Sequence, residues 1–193
     1  MIKYPNGQIY KICNCKKIIA KKDKNQANRG MDFEKYVNEA NLFYQQKNIA
    51  IITKRATPIK VLRITGAKIT EGFFEKKSTT DYNGVFNGIY IDFEVKSTLK
   101  QKSFPLHNIY QHQLEHLEKI INNKGIAFFL IEFVSLDKIY FLDAKHIINF
   151  KKNNIRKSMP LKYIEKNGYL IKKTNNPIKV DFLPFVKKLL KKS

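Results

Sequence analysis

The chain contains no tryptophan, and its 193 residues include only two cysteines, Cys13 and Cys15. Separated by one residue, these two make a poor structural disulfide and at most half of a zinc site. They read as free thiols in a reducing cytosol. No apolar run approaches the ~20 residues that a membrane span needs. The opening Met1-Ile-Lys-Tyr-Pro-Asn-Gly7 lacks the apolar region of a signal peptide. The expectation is therefore a cytoplasmic protein with no membrane association. Glycine-rich phosphate loops are missing, which excludes a nucleotide cofactor of the usual kind. Neither a Gly-x-Ser-x-Gly elbow nor an activated cysteine is present, so the familiar nucleophilic hydrolases are excluded too.

Acidic residues are also scarce. Asp and Glu number 16 against 37 Lys and Arg, for a formal charge of +21. That imbalance concerns partners rather than fold. A surface so basic attracts phosphate backbones, because each phosphate it neutralises releases a counterion. Hydrophobic residues nevertheless make up 43%, which excludes a disordered polyelectrolyte. The length suits one globular domain with a real core.

Residues 1 to about 28 are polar and basic and read as an N-terminal arm; residues 29–193 read as a single domain. From Met31, a stripe of Phe33, Tyr36, Val37, Ala40, Phe43 and Tyr44 predicts a helix. Ile49 to Thr53 reads as a strand. The stretch from about residue 55 to 77 mixes basic, β-branched and aromatic residues without a clean period, as a projection from the core would. Tyr82 to Phe86 and Ile89 to Ser97 form a predicted hairpin around Asn87-Gly88. A helix follows from about His107 to Asn122, with Leu114, Leu117, Ile120 and Ile121 inward. Ile126 to Val134 and Ile139 to Leu142 read as strands, the first apolar enough to be central. The basic remainder ends in a short amphipathic helix, Phe185 to Leu190.

The chemistry concentrates in Ile89-Tyr-Ile-Asp-Phe-Glu-Val-Lys96. Alternation in a strand sends Ile89, Ile91, Phe93 and Val95 to the core and Tyr90, Asp92, Glu94 and Lys96 to the other face. Two carboxylates and a lysine in one row are expensive to bury unless they hold a cation together. Hard divalent ions want oxygen ligands, and Mg²⁺ keeps several waters beside one or two carboxylates. Asp81 would join Glu94 across the hairpin. Gln113 lies at the edge of the next helix's stripe, and its spacing alone suggests a backbone-bonded amide. Thr79 and Thr80 count simply as β-formers, and Glu34 as a solvated acid. His112 and His116 have zinc-like i, i+4 spacing but no third ligand, so solvent-facing or DNA-facing roles are expected.

Asp, a spacer and then Glu-x-Lys is the pattern of the restriction-endonuclease-like superfamily. Five segments in register narrow this: Asn28-Arg-Gly-Met-Asp-Phe-Glu34, Ser78-Thr-Thr-Asp-Tyr-Asn-Gly84, Tyr90-Ile-Asp-Phe-Glu-Val-Lys96, Ser103-Phe-Pro-Leu106 and His112-Gln-x-x-His116. Together with Thr57-Pro58, they resemble the RecU family of Holliday junction resolvases over nearly the whole chain. The resemblance implies an α/β restriction-endonuclease-like core, with a mixed central sheet flanked by helices and a projecting stalk. It implies a homodimer that uses Mg²⁺, with Mn²⁺ as a substitute, to nick four-way DNA junctions in recombination and repair. Recombinase and branch-migration proteins are the partners it suggests. It assigns Thr79, Asp81, Glu94 and Gln113 as metal ligands and Lys96 as transition-state stabiliser. Arg29, Lys54, Arg55 and Lys60 become candidate contacts to the DNA backbone. Phe73 or Phe74 becomes the base-stacking residue of the stalk. This stalk begins Lys54-Arg-Ala-Thr-Pro58 and runs a few residues short of the family's pattern before Glu71-Gly-Phe-Phe-Glu75. Two competing expectations are a duplex-specific restriction-type nuclease and a non-catalytic architectural DNA-binding protein.

Overall fold

The computed structural model describes residues 26–76, 78–174 and 177–191. Of the arm expected over residues 1–28, residues 1–25 lie outside the described residues, and 26–28 already belong to the first helix. The elements run α1 (Gln26–Gln46), β1 (Ala50–Lys54), β2 (Ile59–Thr65), β3 (Lys68–Phe74), β4 (Tyr82–Phe86), β5 (Ile89–Thr98) and β6 (Ser103–Pro105). They continue with α2 (Gln111–Asn122), β7 (Ile126–Phe133), β8 (Lys138–Asp143), α3 (Ala144–Asn153), β9 (Ser158–Pro160), α4 (Leu161–Asn167), β10 (Tyr169–Ile171) and α5 (Leu183–Leu190).

Six strands form one mixed sheet in the order β1-β4-β5-β7-β8-β10. Only the β5–β7 pair is parallel, and α2 lies in the crossover that such a pair requires. Strand β7 is buried along its whole length, as its unbroken apolar run predicts for a central strand. Its period of two divides the interior. Ile126, Phe128 and Leu130 join α1 and α5 in one core, while Ala127, Phe129, Ile131 and Phe133 join α2, α3 and α4 in a second. Phe93, Phe128 and Phe182 pack ring to ring in the first core, with centroids 4.5–5.9 Å apart. The expected architecture, a mixed sheet between helical layers, holds.

Local signals explain the hairpin. Asn87 and Gly88 both have positive φ (51° and 76°), the combination a tight two-residue turn needs. At Gly84 a side chain is impossible without movement, because a Cβ there would meet the Ile51 carbonyl oxygen at 2.1 Å. Strand β1 can therefore lie close against β4. Between β1 and β4 the chain forms the β2–β3 hairpin, in which every residue of both strands is exposed. Two expectations shift: α1 starts before Met31, and the turn Leu106–Asn108 precedes α2, which starts at Gln111 rather than His107.

Candidate active site

On the first core's side of β5, Ile91, Phe93 and Val95 are buried against α1 and α5. On the opposite side lie Asp92 and Glu94, both fully buried. The sequence suggested that these two carboxylates share one cation. Instead the structure gives them separate partners.

Asp81 immediately precedes β4, and the register Tyr82↔Phe93 sets it opposite Glu94. Main-chain bonds lock the pair: the Asp81 N–H donates to Glu94 Oε2 at 3.0 Å, and the Val95 N–H donates to Asp81 Oδ2 at 2.9 Å. Lys96 Nζ lies 2.5 Å from Glu94 Oε1. Gln113, buried on the first turn of α2, donates from Nε2 to the same Oε1 at 2.6 Å. Burial and the neighbouring Asp81 charge push the Glu94 carboxyl up to about 7, against the pull of Lys96 and Gln113. These groups line a cleft of about 750 Å³, with Tyr110 and His112 on its α2 side and Phe74 and Lys76 on the side of the hairpin.

The donor set fits a hard divalent ion. Among the described residues no three His, Cys, Asp or Glu cluster as a metal cage, so an ion here would rest on two carboxylates, neutral oxygens and water, as Mg²⁺ does. The Thr79 hydroxyl, two residues before Asp81, is enclosed without a protein hydrogen-bond partner, but Thr79 itself does not line the cleft. Gln113 is more committed. Its Oε1 accepts the Tyr110 N–H at 3.1 Å, so the backbone-bonded reading from spacing is met at one end and Glu94 is held at the other. Ligation through Oε1 requires the amide to turn over.

Asp92 is the centre of a different network. Oδ2 accepts from Arg55 at 2.6 Å, His116 Nε2 at 2.9 Å and the Tyr90 hydroxyl at 3.1 Å, and Oδ1 accepts from the Thr80 hydroxyl. The Arg55 N–H also donates to the Asp81 carbonyl at 2.8 Å. Thus Asp92 anchors the 79–81 segment that carries Asp81 into the cleft.

The other candidates spread out. Lys54 is paired with Glu34, which the sequence suggested would be solvated. Lys60, Phe73 and Phe74 are exposed on the β2–β3 hairpin, Phe74 the more so at 72% against 50%. Arg29 falls in α1, but its side chain lies outside the described residues. The two histidines of the i, i+4 pair are tied down: His112 Nε2 donates to the Ser78 carbonyl at 3.1 Å, and His116 holds Asp92. Sequence reasoning missed the Asp92 network because its members lie 2 to 37 residues from Asp92 and no single motif spans them all.

With the site in view, comparison with known proteins settles its family. The family model "RecU: Recombination protein U" matches residues 28–188. The chain belongs to the RecU family. A RecU relative from Geobacillus sp. (strain WCH70), named Holliday junction resolvase RecU, is 38% identical over 98% of both chains. The RecU relative of Streptococcus gordonii carries the same name and is 42% identical over 98% of this chain and 96% of its own. A solved Holliday junction resolvase, Hjc of Archaeoglobus fulgidus, aligns over 70% of this chain and 92% of its own at 12% identity, with a TM-score of 0.40. That likeness is too distant to add weight. The RecU match spans every residue of the cleft and of the Asp92 network.

Proposed function

We propose that this chain is a Mg²⁺-dependent endonuclease that resolves four-way DNA junctions by paired nicks during recombination and repair. The observation that carries the reading is the convergence of Asp81, Glu94 and Lys96 in one cleft, in a chain of the RecU family. Asp81 and Glu94 would hold the ion, with the Thr79 hydroxyl and, after the amide turns, the Gln113 carbonyl. A bound Mg²⁺, for which Mn²⁺ can substitute, supplies Lewis-acid polarisation of the phosphodiester and a water of lowered pKa. Lys96 is set to meet negative charge growing on the phosphoryl oxygens, a preorganised cation in a partly water-excluded site. Its bond to Glu94 keeps the ammonium in the cleft. Before the ion binds, Gln113 and the Val95 N–H hold the two carboxylates at fixed angles.

A homodimer suits the substrate, since a two-fold junction presents two opposed strands to two equivalent sites. The exposed β2–β3 hairpin is the part shaped to enter the junction, with Phe73 and Phe74 available to stack. Arg29, Lys54 and Lys60 are the backbone contacts, whereas Arg55 is committed to Asp92. Among the described residues no helix is long and apolar enough to cross a membrane. We place the protein in the cytoplasm, with recombinase and branch-migration proteins as its partners.

The test incubates wild type, Asp81→Ala and Lys96→Ala with four-way and linear DNA, with and without Mg²⁺. Symmetric, Mg²⁺-dependent nicking of the junction by wild type alone is the expected outcome. Equal nicking by Asp81→Ala overturns the site, and sequence-specific cutting of linear duplex overturns the substrate.

A further inference from the structure

One wall of the cleft takes no part in holding the ion. Tyr110, the residue preceding α2, is 59% exposed and stacks on His112, with ring centroids 5.6 Å apart and planes 14° from parallel. His112 is itself tied to Ser78, three residues before Asp81. On its other side the Tyr110 N–H bonds to Gln113, which bonds to Glu94. The two rings are therefore tied to Glu94 through Gln113, and to the chain segment that leads into Asp81 through His112 and Ser78. Core packing does not account for Tyr110, since the residue is more than half exposed at the N-cap of α2.

We propose that Tyr110, backed by His112, is a stacking platform for a nucleobase next to the scissile phosphate. The proposal rests on the junction-cutting reading above and adds a subsite to it. Lys76 and Lys96 line the same cleft, so the strand's phosphate enters beside this platform, and the attached base lies one sugar away. The cleft has the volume that encloses a small organic ligand. An aromatic face accepts any base, because every base has a π-face, and stacking is worth roughly 1–3 kcal/mol per base. The subsite takes an unstacked base of the cut strand and tolerates all four, with purines held best.

The test is a cycle between protein and DNA. Single-turnover cleavage of a Mg²⁺-loaded junction is measured for wild type, Tyr110→Phe and Tyr110→Ala. Each is assayed on intact DNA and on DNA with an abasic sugar at each nucleotide flanking the cut. Tyr110→Ala should cut intact junction about 5- to 150-fold more slowly, the range that stacking free energy implies. Wild type should lose a similar factor at one abasic position, and the two changes together should cost no more than either alone. Tyr110→Phe, which keeps the ring, should recover most of the rate that Tyr110→Ala loses. Multiplicative losses at every position, a wild-type rate for Tyr110→Ala, or a Tyr110→Phe as slow as Tyr110→Ala would each overturn the platform. Fluorescence of 2-aminopurine at the same position, in metal-free complexes, separates this proposal from the one it rests on. A quench on binding that Tyr110→Ala abolishes, without any cutting by wild type, would sink the nuclease reading and leave the platform. Cutting with no Tyr110-dependent quench would do the reverse.

Discussion

Asp92 and Glu94 occupy the same face of one strand, both fully buried, yet neutralising them should move stability in opposite directions. Asp92 is met by Arg55, His116, Tyr90 and Thr80. Breaking a buried, hydrogen-bonded ion pair from one side costs roughly 3–5 kcal/mol. The Arg55 side chain is 26% exposed and regains some hydration, so Asp92→Asn should lose about 3 kcal/mol, the low end of that range. Glu94 is the opposite case, its carboxyl raised from 4.5 to about 7 by burial and Asp81. With the folded value above the unfolded one, its favourable contribution is complete below the unfolded pKa and is lost as pH rises through about 7. In metal-free protein at pH 8 the ionised group weakens the fold. Glu94→Gln should then gain on the order of 1–2 kcal/mol, after allowing for the partner Lys96 loses. Thermal unfolding in a chelator reads both effects, at roughly 2–4 °C per kcal/mol for a chain of this size. The melting temperature should fall by about 6–12 °C for Asp92→Asn at pH 8 and rise by about 2–8 °C for Glu94→Gln. The Glu94→Gln gain should shrink toward pH 5 and reverse when Mg²⁺ is added, because only wild type then binds the ion fully. A Glu94→Gln that falls with Asp92→Asn at pH 8, or whose gap ignores pH, would refute this account.

Three further outcomes are expected. Lys96→Ala should slow single-turnover junction cleavage roughly 10²–10³-fold, the usual cost of losing one preorganised charge-stabilising group, and in a chelator at pH 8 it should also lower the melting temperature, because the buried Glu94 carboxylate loses its cation. Gly84→Ala should destabilise by about 1–3 kcal/mol in urea titrations, because the new methyl meets the β1 backbone; a neutral result would mean that β1 moves freely. Phe182→Ala removes the ring that contacts Tyr44, Phe93 and Phe128, and should cost about 3–5 kcal/mol by calorimetry or denaturant unfolding.

Patterns that repeat at short range were legible in the sequence. The α1 stripe, the Asn87-Gly88 turn and the apolar β7 run each declare one element through period or turn chemistry. Residues 144–171 hid α3, α4 and two short strands, because lysines interrupt their stripes and the strands are three residues each. One signal was available there: Asp143 caps α3 by accepting the Lys145 N–H at 2.9 Å. At the site, the pairing of Asp81 with Glu94 followed from the hairpin. The parting of Asp92 from Glu94 did not, since alternation reports the face of a strand and not which residues from other elements meet it. Arg55 approaches from the loop after β1 and His116 from α2.

The division of the interior by β7 has a consequence for how this protein can change. Both hydrophobic cores are filled by side chains that never enter the cleft, and the polar floor of β5 lies where the second core ends. Thr79, Tyr110 and Gln113 belong to neither core, so under the proposed function substitutions there would alter the ion or base subsite without emptying either core. Selection on substrate and selection on folding act on separate sets of residues. The exceptions are the two buried carboxylates of β5: Asp92, which fixes the 79–81 segment as well as the fold, and Glu94, whose burial weighs on stability.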